Sequence, residues 1–288
     1  MKASSKSPWA RDYRTIALYL MENVKHGSSL EQYTYASQLI QAEAMMYAFV
    51  GFRRLWKGLG REECAGILVW QLNDAWPSVS WSLVDSNLRK KSAYYSVKRA
   101  IAPIAVGIAR VEVETGRDSE FTEVHVHRQK RLQVWASNFT ECEEEMRLEV
   151  RGVEVTSGKQ TWLHRQAVQL PKNQSIELVD VLMPKPAETV IFVARLFKHN
   201  RVVARYFDWP QPLKHLDLAK ADIEMRLEGE MVHLFAALPV KGLVLDADDD
   251  EVDFDDNCVD LVPGDAQTVR AKGLKGQRVT FMHLAIAV

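Results

Sequence analysis

The 288-residue chain changes its hydrophobic period at about Pro103. Apolar residues recur at helical spacing before that point and alternate after it, and no one type of regular element accommodates both patterns. Met45, Phe49, Phe52 and Trp56 stand four, three and four residues apart, which sets them on one helical face. Ser28-Ser29-Leu30-Glu31 has the form of a capping box, Ser28 reaching forward and Glu31 reaching back. A long helix is therefore expected from there to about Trp56, ended by Gly58 and Gly60. Gly66-Ile67-Leu68-Val69-Trp70 follows as an apolar run without alternation, which predicts a strand buried on both faces of a parallel sheet. Lys90 to Ile101 reads as a further helix, closed by Pro103. Helix, buried strand, rich loop and helix is the order found at the end of an α/β barrel.

Beyond Ile104 the text is that of β-sheet. Val111 to Glu114, Val124 to His127 and Leu148 to Val155 all carry period two, and turn signals separate them. Trp209-Pro210-Gln211-Pro212 is a stiff, proline-marked boundary. Strand patterns then resume at Ile223 to Leu227, Met231 to Ala236 and Gly242 to Leu245, with a turn at Val262-Pro263-Gly264-Asp265. The expected organisation is a multidomain α/β plus all-β chain. Residues 1–103 form an α/β barrel portion, 104–212 one β-sandwich, and 213–288 a second, smaller one.

Composition narrows the function. A net charge of -1 lacks the basic footprint of a nucleic-acid-binding protein, so no nucleic-acid partner is expected. No apolar stretch approaches the roughly 20 residues of a membrane helix, and MKASSKSPWARDYR has no hydrophobic signal core, so no membrane association is expected. Cys64, Cys142 and Cys258 are odd in number and far apart, which suggests neither a disulfide framework nor a zinc site and favours a reducing compartment. The sequons at Asn138 and Asn173 carry meaning only in a secreted protein. The acidic run from Asp246 to Asp256 has Glu251 where a calcium loop starting at Asp246 needs glycine, and reads as a solvated hairpin tip. His125 and His127 lack a third ligand nearby, and Glu141, Glu143, Glu144 and Glu145 read as solvated. No phosphate loop or Ser-His-Asp signature is present, and no cofactor or metal is expected.

The candidate site is the loop after the buried run. In a barrel, loops at the C-terminal ends of strands build the active site. Trp70 stands at that end, with Gln71, Asn73, Asp74 and Trp76 above it. An indole offers a flat apolar face beside one N–H donor, and an adjoining Asn and Asp supply the polar rim that a sugar ring requires. Composition alone favours the reading in which Trp76 and Trp81 plug the barrel end while Asn73 and Asp74 cap the next helix, because aromatics more often pack than bind.

The text GILVWQLNDAWPSVSWSLVDSNLRKKSAYYSVKRAIAPI, Gly66 to Ile104, resembles the final barrel strand and helix of the glycoside hydrolase family 2 β-mannosidases. Trp70-Gln71-Leu72-Asn73-Asp74 followed by Trp76-Pro77 and Ser80-Trp81-Ser82 is specific to that group. Gln41 to Ala44 with Phe52-Arg53 resembles the preceding barrel helix, and Asp256 to Gly264 resembles the last sandwich, where the family tends to read "DN..DL.PG". The resemblance implies the C-terminal part of a (β/α)8 barrel followed by two immunoglobulin-like β-sandwiches. It implies a parent enzyme that removes terminal non-reducing β-D-mannose from β-mannoside oligosaccharides with retention. Trp70 would be a wall of the sugar subsite, Asn73 and Asp74 would orient its hydroxyls or their neighbours, and Trp76 would be a weaker part of the same wall.

Retaining glycosidases need two carboxyl groups about 5–5.5 Å apart. In the family these are a Glu after an Asn and a Glu in text like "SEFG", both ahead of the helix that starts near Ser29. This chain has no Asn-Glu dipeptide, and Ser119-Glu120-Phe121 lies inside the β text and is followed by Thr122 rather than Gly. Both glutamates are thus expected upstream of Met1, in a missing N-terminal barrel portion of the same parent chain. Residues 1–27 would then be the loop and short helix after barrel strand seven, and Met1 an internal methionine or an artificial start. The chain alone is expected to be inactive, or to act as a non-catalytic sugar-binding or inert fragment. The cysteines and the resemblance tilt the expected location to the cytoplasm, and secretion stays open because a signal peptide would sit at the true N-terminus.

Overall fold

The computed structural model describes residues 8–25, 27–117, 126–249 and 251–287. Three helices lead: α1 (Pro8–Asn23), α2 (Leu30–Arg54) and α3 (Ser92–Ala100). Among the described residues fourteen strands follow. The first seven are β1 (Ile104–Arg117), β2 (Val126–Asn138), β3 (Glu144–Glu154), β4 (Gln160–Leu170), β5 (Gln174–Leu182), β6 (Val190–Lys198) and β7 (Arg201–Asp208). The rest are β8 (Ile223–Glu228), β9 (Met231–Ala236), β10 (Val240–Ala247), β11 (Asp253–Phe254), β12 (Val259–Leu261), β13 (Gln267–Lys272) and β14 (Val279–Met282). No described helix is long and apolar enough to cross a membrane.

The long helix starts one residue later than its sequence suggests. Ser29, not Ser28, is the N-cap: its Oγ accepts from Gln32 N at 3.1 Å while Gln32 Oε1 accepts from Ser29 N at 3.2 Å. Gln32 fills the return role expected of Glu31 because it, and not Glu31, is three residues past the cap. The buried face is Tyr35, Ala36, Leu39, Ala42, Phe49 and Val50. Of the expected face Phe49 is buried, but Phe52 is 45 % exposed, because the helix meets its neighbours along the Leu39 side. The helix ends at Arg54 with Leu55 as its cap, ahead of the turn holding Gly58 and Gly60 at positive φ.

The alternating text forms two antiparallel sandwiches. Sheets β1-β2-β5 and β4-β3-β6-β7 share a core that includes Ile108, Leu132, Val134, Leu148, Val150, Phe192 and Leu196, and this core continues into the helices. Leu148 to Val153 is a correction to the half-solvated reading: Glu149 and Arg151 are also buried. Their face is covered, and Arg195 and Arg165 hydrogen-bond Glu149 while Arg151 Nη1 donates to Pro263 O at 3.2 Å. Sheets β12-β10-β14 and β11-β13-β9-β8 share a second core of Val232, Leu234, Leu243, Leu245, Leu261, Val269 and Ala271.

Helix α2 touches both sandwiches, each time at a glycine. A Cβ on Gly107 would lie 2.5 Å from Val50 and 2.4 Å from the Trp135 ring. A Cβ on Gly242 would lie 2.6 Å from Leu39. Gly242 has φ +64 within the irregularity in the β10–β12 pairing, a backbone region open to glycine at little cost. Polar contacts reinforce the second meeting. Tyr35 Oη donates to Gly242 O at 2.7 Å, and Lys241 Nζ donates to Glu43 Oε1 at 2.7 Å and Asp260 Oδ2 at 2.9 Å. Asp260 Oδ1 also accepts from Gly242 N at 2.7 Å, and its Oδ2 from Trp209 Nε1 at 2.8 Å.

The acidic run is only partly the solvated tip that its charge suggests. Asp246, Asp248 and Glu251 are exposed, but Lys90 pairs with Asp253, Lys98 donates to Asp255 O and Arg99 pairs with Asp256. Basic residues around α3 thus hold its second half. Asn257 closes the segment by bonding both backbone groups of Leu245, at 2.7 and 2.9 Å. The three cysteines are free. Asn138 is buried and spends its amide on Cys142 O and Leu170 O, both at 2.8 Å, which supports reading its sequon as structural.

Candidate functional site

The run Gly66 to Trp70 is not the strand that its sequence suggests. Ile67 and Val69 pack on the helical core, whereas Leu68 is 98 %, Trp70 79 % and Leu72 61 % exposed. A run with apolar side chains on both faces becomes a doubly buried strand only if strands flank it and layers cover it on both sides. Among the described residues it has a layer on one side and no flanking strand, so one face is bare. The Trp70–Gln71 peptide is cis.

Beyond Trp70 the loop is held by its own backbone and by one buried carboxylate. Val84 N donates to Leu72 O at 2.9 Å, Asp74 N to Val84 O at 3.1 Å and Lys91 N to Leu83 O at 2.9 Å. Asp74 is buried: its Oδ1 accepts from Ser80 Oγ at 2.5 Å, and its Oδ2 from Ser82 Oγ at 2.6 Å and Lys91 Nζ at 3.2 Å. Burial raises the Asp74 carboxyl, but the hydrogen bonds from Ser80, Ser82 and Lys91, with the Lys91 charge, outweigh it and hold the group below its ordinary value. Gln41 Nε2 of α2 fastens the far side by donating to Trp81 O at 2.7 Å.

Asp74 therefore does not cap α3: it bonds the ammonium of Lys91, and as the N-cap residue Lys91 makes no side-chain capping hydrogen bond. With both oxygens occupied and its proton affinity lowered, it is also unsuited to general acid or base work. Its action on any ligand is indirect, through the shape of the loop. Asn73 is exposed and donates to Asp74 O at 3.3 Å, which leaves its amide oxygen open. Trp76 and Trp81 are 68 % and 53 % exposed, so neither plugs a closed core. The site that results is an apolar face of Leu68, Trp70 and Leu72 with Asn73 at its rim and Trp76 beyond.

Sequence reasoning named Ser80, Ser82 and Gln41 only as parts of the family text, with no role, and did not name Lys91. The Ser-Trp-Ser text carries no role until the fold turns both hydroxyls onto one carboxylate. Ser119-Glu120-Phe121 and His125 lie outside the described residues. Among the described residues no group of three His, Cys, Asp or Glu side chains is placed to hold a metal ion.

The chain is similar to β-mannosidase B of Thermothelomyces thermophilus, with 40% identity over 273 residues that cover 90% of this chain and 32% of the relative. Its similarity to β-mannosidase B of Aspergillus niger is 36% over 272 residues, covering 91% of this chain and 31% of that protein. The chain thus spans about a third of the length of the curated relatives it matches. Residues 130–215 match the family described as Mannosidase Ig/CBM-like domain. Among solved structures, a β-D-mannosidase from Dictyoglomus thermophilum superposes with a TM-score of 0.76 at 21% identity, over 94% of this chain and 32% of that one. An exo-chitosanase from Amycolatopsis orientalis superposes with a TM-score of 0.68 at 16% identity, over 94% and 36% of the two chains. At such identities these two likenesses concern the fold alone. The resemblance read from Gly66 to Ile104 is borne out, and it extends over nine tenths of the chain.

Proposed function

We propose that this chain is the C-terminal part of a retaining family 2 β-mannosidase, the parent enzyme removing terminal non-reducing β-D-mannose from β-mannosides. Residues 1–103 are the end of its (β/α)8 barrel, 104–212 an immunoglobulin-like sandwich and 213–288 a second one. The observation that carries this reading is the 40% identity to a β-mannosidase along nine tenths of the chain. The bare face of Leu68, Trp70 and Leu72 supports it, since a closed barrel supplies the missing neighbours for such a run.

In this reading Trp70 is a wall of the subsite for the terminal mannose, its ring stacking on the C–H face of the sugar. Asn73 contributes a polar rim, Asp74 shapes the loop through Ser80, Ser82 and Lys91, and Trp76 is an outer part of the wall. Both reacting glutamates belong to the two thirds of the relatives that the chain does not span, so the chain alone is inactive. The test is complementation with the corresponding remainder of the Thermothelomyces enzyme. Expected is hydrolysis of 4-nitrophenyl β-D-mannopyranoside by the combination and none by either piece. In the combined enzyme Trp70→Ala should lower kcat/KM roughly tenfold or more while leaving the melting temperature unchanged. Equal activity of the chain alone, or a wild-type rate in the variant, overturns the assignment. A non-catalytic sugar-binding role is the second reading, favoured by the absence of an Asn-Glu text and by the occupied oxygens of Asp74.

A further inference from the structure

A cavity of about 770 Å³ lies where the helices meet the two sandwiches. None of Trp70, Asn73, Asp74 or Trp76 lines it. Its wall brings together Glu43 and Tyr47 of α2, Tyr206 and Asp208 of β7, and Trp209. The volume is that of an ordinary small-molecule site.

The polar groups on this wall have unused hydrogen-bonding capacity, much of it on acceptors. Glu43 Oε1 accepts from Lys241 Nζ at 2.7 Å, and no described residue donates to Oε2. The Glu43 side chain keeps 33% of its surface accessible, and it is part of the cavity wall. Asp208 Oδ2 accepts from Arg110 Nε at 2.5 Å, and no described residue donates to Oδ1. Burial pushes both carboxyls up. Tyr206 is 9% exposed, and its hydroxyl makes no hydrogen bond to a described residue. Its proton is held tightly by burial and then by the charges of Asp208 and Glu43, which line the same cavity. Trp209 is buried with its N–H already spent on Asp260, and Tyr47 is exposed at the cavity.

The open groups are therefore carboxylate oxygens, which accept, and phenols, which donate and accept, with the exposed ring of Tyr47 beside them. A ligand that fits must bring several hydrogen-bond donors on a body with apolar C–H faces. An ammonium would also donate, but it would have to approach the ammonium of Lys241, shared between Glu43 and Asp260, and the guanidinium of Arg110, paired with Asp208, so a cationic rival belongs in the test. An anion would face Glu43 and Asp208, while the arginines of the wall, Arg99, Arg110 and Arg205, are already paired with Asp256, Asp208 and Asp265. Neutral hydroxyls meet neither penalty. We propose that this cavity is a second saccharide site, separate from the Trp70 loop, which binds a sugar through Glu43, Asp208 and Tyr206.

The choice of a mannoside as first probe rests on the proposed function; the site itself rests on the cavity. The experiment is saturation-transfer NMR on the full chain with β-1,4-mannobiose and cellobiose, and with spermidine as the cationic rival. In the Trp70→Ala chain, transfer to at least one disaccharide should persist. Tyr206→Phe removes a single oxygen and should raise its Kd about threefold to tenfold, the worth of one hydrogen bond. Tyr47→Ala, at an exposed position, should also weaken binding. Complete loss of transfer on Trp70→Ala would confine sugar binding to the loop and overturn this site, while leaving the β-mannosidase reading intact. An unchanged Kd in both tyrosine variants, or binding of spermidine without either sugar, overturns it too.

Discussion

Asp74 illustrates how one side chain governs a surface it does not reach. Its two oxygens draw Ser80, Ser82 and Lys91 inward, and the segment between them is thereby fixed with Trp76 and Trp81 facing outward. Asp74→Ala should cost about 1–3 kcal/mol, the penalty for leaving buried hydroxyls and an ammonium short of an acceptor. The cost depends on pH with a definite sign. The folded carboxyl titrates below its unfolded value of about 3.9, so its stabilisation is fully present above that pH and is lost as pH falls through the folded value. Urea denaturation should find wild type and Asp74→Ala well separated at pH 7 and converging in acid below about pH 3.9. A gap that does not depend on pH would mean that the variant loses packing rather than a charged acceptor.

At the scale of the element, α2 decides how the β-sheets are placed. Its Val50 end requires Gly107 and its Leu39 end requires Gly242, so both sandwiches approach it to within the width of a missing methyl group. Gly107→Ala should destabilise by about 1–3 kcal/mol through overpacking, and Gly242→Ala by more, because its positive φ is also lost to strain. Thermal unfolding checks both, and a shift within error for Gly242→Ala would contradict the close packing. The sequence announced α2 and six of the fourteen described strands, because helical spacing and alternation are local patterns. It did not announce that Gly66 to Trp70 would remain unpaired, since a strand exists only through partners that the pattern itself cannot supply. Nor did it announce the link from Glu43 to Lys241, whose members are brought together only by the tertiary fold. Trp70, Asn73 and Trp76 were legible as an exposed aromatic and polar loop. Asp74 was legible as a polar group but not as its anchor, because the hydroxyls that bind it acquire meaning only when the loop closes.

At the scale of the molecule, one core runs through the helices and the first sandwich, and another fills the second. The buried ammonium of Lys241, shared between Glu43 and Asp260, is a polar tie across that division, beside the pairing of Arg195 and Arg205 with Asp265. Lys241→Met would leave two carboxylates without their cation, at about 3–5 kcal/mol. Calorimetry should then resolve two unfolding steps where the wild type shows one; a single step at an unchanged temperature would show that the cores are joined by other means. The bare face beside Trp70 has an optical consequence. Trp135 and Trp209 are buried, while Trp70, Trp76 and Trp81 lie in water. Indole emission shifts to the blue when water is excluded, so the chain carries its own chromophore for whatever covers that face, readable in real time without a label.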